Sequence, residues 1–334
     1  MIIIKSAMAM MIGFIISLLF GLIVIPILRN TKASQTLSIY LERTHALKKG
    51  TPTMGGIIFI LPTVIITIAL GLLKKINISY TLIIIIFTFV SYAIIGFIDD
   101  YLIIKRHSNK GLSKSEKFTM QVIVSIFFFY LFMKGGNEPL IWIHTFKIKQ
   151  NIGWMYGIFI LFVLTASSNA VNLTDGLDGL AAGLSIISFI TFGIISWVTD
   201  WLLGYEDIAV FSFILIGSLL GFLTYNFPKA KVFMGDTGSL SLGATLGAYA
   251  IMTRHEVLLV LIGIVFVIET LSCIIQIIVY KITKKRVFPM TPLHHTFEKK
   301  GWKENDIVKL FWAVGLISCM LSLIWGVILW KKST

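Results

Sequence analysis

The chain has 334 residues, of which 57% are hydrophobic and only 13% charged, and Lys plus Arg outnumber Asp plus Glu by 29 to 16, for a formal net charge of +13. That composition excludes an ordinary soluble domain and places the chain with integral membrane proteins. The basic residues are spread over short connections instead of gathering on one module, so no nucleic-acid partner is expected.

Apolar stretches close to the ~20 residues that cross a bilayer core follow one another along the chain. They cover residues 7–28, 53–73, 79–98, 118–133, 152–171, 180–200, 205–224, 238–252, 257–281 and 309–330. They consume nearly the whole sequence. The expected fold is therefore one all-α integral membrane domain over residues 1–334, a bundle of about ten transmembrane helices. The first stretch is longer than a signal-peptide core and lacks a small-x-small cleavage site, so it reads as a retained span. Cys273 and Cys319 fall inside predicted helices and read as buried apolar side chains instead of a disulfide or metal pair. Between the fourth and fifth stretches the string IWIHTFKIKQ alternates in polarity, which predicts a short β-hairpin on the outer surface.

Most Lys and Arg residues fall in alternate connections, at 29–49, 105–117, 229–231 and 281–303. Cytoplasmic loops carry that excess, which predicts both termini outside. The same basic loops attract anionic lipid and form a vestibule suited to an anionic substrate.

Five carboxylates then sit where segments meet water at the cytoplasmic face: Asp99, Asp100, Asp175, Asp178 and Asp236. Carboxylates near hydrocarbon are costly and usually functional. Asp99 and Asp100 are expected to end the third helix, where its dipole disfavours negative charge unless Mg²⁺ or a loop lysine compensates. In NLTDGLDGL, Asn172, Asp175 and Asp178 recur every three residues after Asn169, so a helical turn would align them. The interleaved glycines allow backbone to approach a ligand. Asp236, in FMGDTGSL, has two readings: the N-cap of the eighth helix, or part of a phosphate site at that helix start. In PLHHTFEKKGW, His294 and His295 read as surface residues or as imidazole donors to phosphate, since hard Mg²⁺ prefers oxygen. Glu269 and Gln276, at i and i+7 of the ninth segment, either line the same cavity or hold helices together.

Taken together, GTPTMGG (50–56), GFIDD (96–100), GLSKSEK (111–117), NLTDGLDGLAAG (172–183), YNFPKAKVFMGDTGSL (225–240) and MTPLHHTFEKKGW (290–302) resemble the polyprenyl-phosphate N-acetylhexosamine-1-phosphate transferase superfamily. GTPTMGG with PLHHTFE and GW is similar to its phospho-N-acetylmuramoyl-pentapeptide transferase branch. The resemblance implies transfer of phospho-N-acetylmuramoyl-pentapeptide from its UDP conjugate to undecaprenyl phosphate, giving lipid I and UMP. It also implies Mg²⁺ as cofactor, a homodimer, and a multi-pass place in the bacterial plasma membrane. Carried over by position, Asp99, Asp100, Asp236, His294 and His295 would be catalytic, with Asp236 the metal ligand and Asp99 the base. Lys48, Lys117, Asn172, Asp175, Asp178, Asn226, Phe233 and Gln276 would bind the nucleotide-sugar, with Phe233 stacked on uracil. A sister transferase for N-acetylglucosamine-1-phosphate would share the aspartates but not GTPTMGG and PLHHTFE. A transporter would set its coupling carboxylates near the midplane, away from one face.

Overall fold

A computed structural model describes residues 2–31, 48, 50–106, 108, 110–143, 148–198 and 205–325. Its helices are α1 (Ile2–Asn30), α2 (Ile57–Leu72), α3 (Tyr80–Lys105), α4 (Lys114–Lys134), α5 (Met155–Thr174), α6 (Leu180–Val198), α7 (Tyr205–Asn226), α8 (Gly235–Met252), α9 (Leu258–Ile262), α10 (Ile264–Thr283), α11 (Leu293–Lys299) and α12 (Glu304–Leu323). Strands β1 (Leu140–Ile143) and β2 (Ile148–Asn151) pair antiparallel with Ile141 opposite Gln150, the expected hairpin; its turn at 144–147 lies outside the described residues.

Every predicted apolar segment contains a helix. Among the described residues, eight helices are long and apolar enough to cross a membrane: α1, α3, α4, α5, α6, α7, α10 and α12. The apolar α2 is shorter. The predicted ninth segment is two helices, because the chain breaks at Gly263 between α9 and α10. The last begins at Glu304, five positions before the expected start, and 326–330 lie outside the described residues, as do 199–200 of the sixth. Cys319 is buried, Cys273 half-buried, and both are free thiols.

Local chemistry sets several boundaries. Ser79 caps α3 by accepting from the Leu82 N–H, and Ser113 with Glu116 forms a reciprocal capping box at α4. Contrary to expectation, α3 does not stop at Asp99–Asp100. The apolar run Tyr101–Ile104 carries it on to Lys105, whose charge suits a helix C-terminus. The two aspartates therefore lie within the helix, away from the unsatisfied carbonyls of its last turn.

At the centre is α8, of whose residues only Asp236 is not fully buried. It packs between α3 and α5, while α7 packs against α1, α2 and α6. Small residues make that closeness possible. A Cβ on Gly96 of α3 would stand 2.1 Å from the Asp236 carbonyl oxygen, and one on Gly243 of α8 would stand 2.3 Å from the Ser167 carbonyl oxygen of α5. Backbones this close gain the dispersion contact that drives helix association in lipid.

Just past the C-terminus of α8 lies a second buried polar group. Arg254 donates to the Leu140 and Glu138 carbonyls of the hairpin segment and to the Tyr156 hydroxyl, at 3.2, 2.8 and 3.3 Å. Tyr156 donates in turn to Glu256 at 2.6 Å. Burial pushes the Glu256 carboxyl up to about 7, against the opposing pull of the Tyr156 hydrogen bond and Arg254.

Candidate active site

The sequence-predicted acids converge at the other end of α8. Asp100, 0% exposed, accepts the Thr237 N–H at 2.9 Å, the Thr237 hydroxyl at 2.7 Å and the Asp236 N–H at 3.2 Å. It caps α8 from a neighbouring helix, satisfying N–H groups that α8 cannot. Asp236 is therefore not the N-cap. It lies in the first turn, after Met234 and Gly235, and its carboxylate is free for other work. Asp236 Oδ1 accepts from Asn172 Nδ2 at 2.7 Å, and the same amide reaches Ser239 Oγ at 2.9 Å.

Between Asp236 and Asp99 stands the Lys117 ammonium, 2.6 Å from Asp236 Oδ2 and 3.2 Å from Asp99 Oδ1. Asp99 Oδ1 also accepts the Leu112 N–H at 2.9 Å, which ties it to the GLSKSEK connection. The loop lysine expected to offset the paired carboxylates is thus present, in the first turn of α4.

The NLTDGLDGL segment is not one helical face. Asn169 and Asn172 lie in the last turns of α5, where the Asn169 amide bonds back to Thr165; Asp175 ends the helix and Asp178 follows in a turn. Asp175 is partly enclosed, and loss of hydration followed by the nearby Asp236, Asp100 and Asp178 carboxylates holds its carboxyl well above the usual range. Asp178 is buried: Oδ1 takes Lys48 Nζ at 2.7 Å and Oδ2 takes the Ala230 N–H at 2.7 Å. Glu304, at the start of α12, completes this group by accepting from Lys48 Nζ at 2.6 Å and the Asp178 N–H at 2.7 Å. Burial alone would lower the Lys48 ammonium, but Asp178 and Glu304 raise it above its ordinary value.

Other predicted residues brace this floor. Asn226 accepts the Gly179 N–H and donates to the Val232 carbonyl, both at 2.9 Å. Phe233 is half-buried, its N–H donating to the Pro52 carbonyl and its carbonyl accepting the Gly55 N–H, so GTPTMGG is stitched to FMGDTGSL. His294 and His295 are held in α11 instead of a loop, and they point differently, as expected: His294 to Glu269, His295 Nδ1 to Glu298 at 2.6 Å. Gln276 does not join the acids; its oxygen accepts the Val287 and Phe288 N–H groups at 3.0 Å. Glu304, Thr237, Ser239 and Glu298 went unpredicted. Only Glu298, inside PLHHTFE, lies in a quoted motif near its partner; Glu304 meets groups 126 and 256 positions away.

The donor set fits a hard divalent ion. Two carboxylate oxygens, from Asp99 and Asp236, already converge on one cation, the Lys117 ammonium. Mg²⁺ needs only one or two protein carboxylates when phosphates supply the rest, so the lack of any cluster of three or more ligating side chains among the described residues is no obstacle. Asp100 is unsuited, because its oxygens are spent on α8.

Residues 82–254 match the model of glycosyl transferase family 4, and residues 48–60 match the phospho-N-acetylmuramoyl-pentapeptide-transferase signature 1. The chain is 42% identical to the phospho-N-acetylmuramoyl-pentapeptide-transferase of Oceanobacillus iheyensis, over 93% of this chain and 94% of the relative. Its likeness to the Geobacillus thermodenitrificans protein of that name is 43%, over 94% and 96%. For the Bacillus subtilis protein it is 43%, over 93% and 94%.

Proposed function

This chain belongs to the phospho-N-acetylmuramoyl-pentapeptide-transferase family, and we propose that it transfers phospho-N-acetylmuramoyl-pentapeptide from its UDP conjugate to undecaprenyl phosphate, releasing UMP and forming lipid I. One observation carries the reading to the residues. Asp99 and Asp236 meet around the Lys117 ammonium, with Asn172 bonded to Asp236, at the N-terminus of a buried helix, a setting that suits pyrophosphate chemistry. One pyrophosphate bond replaces another, so catalysis is positioning and charge neutralisation.

Asp236, with Asp99 beside it, would hold Mg²⁺; the bound ion would neutralise phosphate charge. Lys117 and Lys48 supply fixed positive charge of the protein's own. Asp175, Asp178, Asn226 and Phe233 form the uridine-diphosphate floor, and His294 and His295 face its phosphates. Asp99 acts mainly by orienting the lipid phosphate. That monoester has a second pKa near 6, so little proton remains to be removed at neutral pH. Asp100 serves by fixing α8.

An apolar cavity of about 500 Å³ supports a lipid acceptor. It runs from Phe159 to Val171 along α5 and is faced by Leu271 and Ile274 of α10. Phe162, Leu271 and Ile274 are exposed on the hydrocarbon-facing surface, and Val171 adjoins Asn172. A polyprenyl tail in this cavity would bring its phosphate to the acids. The multi-pass chain would cross the bacterial plasma membrane about ten times, site inward and termini outward, and work as a homodimer.

The test is UMP release by purified protein in detergent with both substrates, with and without EDTA. Release that needs the muramoyl-pentapeptide donor and stops with EDTA is expected. Equal turnover of UDP-N-acetylglucosamine would point to the sister transferase instead.

A further inference from the structure

Glu269 has no task in the reaction as proposed, yet its side chain is 0% exposed in the second turn of α10. A carboxylate so placed is costly unless paired and hydrogen-bonded. Its partner is His294, also 0% exposed. Glu269 Oε1 and Oε2 lie 3.2 and 3.4 Å from the His294 backbone N–H, and Oε2 lies 3.2 Å from Nδ1. One carboxylate thus holds the start of α11 through the His294 N–H and stands beside one edge of the imidazole without a hydrogen bond to it.

The other edge faces the site. A Cβ on Gly176 would lie 2.3 Å from His294 Nε2, so that nitrogen abuts the turn after Asp175. Nε2, like Nδ1, is buried and has no hydrogen-bond partner among the described residues. Buried polar atoms are rarely left so. A polar group of a ligand entering beside Gly176 would satisfy Nε2.

We propose that Glu269 is a positioning residue for the transfer: its carboxylate holds the His294 backbone and stands against Nδ1, which turns Nε2 toward the Asp175–Gly176 turn, where a polar group of the nucleotide-sugar binds. The proposal rests on the transferase reading and adds a residue to it. Removing such a supporting carboxylate commonly costs 10–100-fold.

The experiment compares wild type, Glu269→Gln, Glu269→Asp, His294→Ala and Glu269→Gln/His294→Ala in detergent, each melted thermally and assayed for UMP release. Glu269→Gln is expected to lower kcat about 10–100-fold with donor KM changed less than about threefold. Glu269→Asp, which keeps the charge, should recover part of that loss. The double variant should be no worse than His294→Ala in kcat per folded molecule, because the part of His294 that reaches the site is the ring. Multiplied losses in the double variant, or a kcat for Glu269→Gln within about twofold of wild type, would overturn the proposal. If Glu269→Gln fails to fold, Glu269→Asp alone and combined with His294→Ala gives the same cycle. Failure of the transferase reading would look different: wild type itself would release no UMP.

Discussion

The two ends of α8 put the same kinds of residue to opposite uses. They are separated by ~27 Å of helix at 1.5 Å per residue. Past the C-terminus, Arg254 spends its donors on two carbonyls and a hydroxyl, and Tyr156 passes its proton toward Glu256. At the N-terminus Asp100 and Asp178 are spent in that way. Lys117 and Asp236 keep 22% and 19% of their side-chain surface, and Asp175 is only partly enclosed. A saturated cluster stabilises; an unsaturated one keeps its charge for a ligand.

The sharpest way to break this comparison is Asp236→Asn. Turnover should fall at least about 10²–10³-fold, the scale of losing a charge-stabilising group, with the melting temperature little changed. A large fall in stability with turnover retained would make the N-terminal end structural too.

Arg254→Met should do the reverse, costing about 3 kcal/mol of stability because two carbonyls and the Tyr156 hydroxyl lose their donor. Folded protein should still turn over normally. Thermal melts scored against UMP release per folded molecule would read both.

Glu256→Gln sharpens the contrast through pH. The folded carboxyl is raised from 4.5 to about 7, so the native state holds its proton more tightly than the unfolded chain. That contribution is full below the unfolded pKa, declines as pH rises from about 4.5, and is gone above about 7. The amide cannot ionise. The variant should therefore match wild type near pH 4.5 and exceed it at pH 8 by up to about 3 kcal/mol. Parallel melts of the two proteins across that range would refute the argument.

The smallest effect belongs to Asp175→Ala. Donor KM should rise about tenfold, near 1.4 kcal/mol of ground-state binding, with kcat changed little. A collapsed kcat at unchanged KM would move Asp175 from binding to chemistry.

The acids were legible because carboxylates are conspicuous in apolar sequence. Asp99, Asp100, Asp175, Asp178 and Asp236 stand out by scarcity, and the glycines beside them mark close backbone. What each acid does was less legible. Asp100 reads like its neighbour, yet it caps a helix 136 positions away, and nothing local distinguishes the two. The end of α3 was misread because a charged pair resembles a boundary, although the apolar run beyond it sustains another turn. The break at Gly263 was hidden by unbroken hydrophobicity on both sides. Glu304 and Glu269 could not be assigned for a common reason: their partners are set by how helices pack, and periodicity reports only the element it belongs to.

The close packing around α8 bears on how the molecule is made. GDTGSLSLGATLGAYAIM is 18 residues long, yet it is not among the eight helices apolar enough to cross a membrane. Its serines, threonines and glycines suit helix contacts better than lipid. Such a segment enters a bilayer poorly when it leaves the ribosome alone, because insertion is decided by the segment's own apolarity. The earlier helices α3 and α5 must wait to receive it, α3 at Gly96 and α5 at Ser167, which Gly243 of α8 approaches. Reporter fusions ending at residue 253 would then find this segment uninserted in chains lacking α3 and α5, and held in those that keep them. The feature that makes the site rigid also makes its assembly depend on neighbours already in place, so the site stays incomplete until they have closed around the helix it works from.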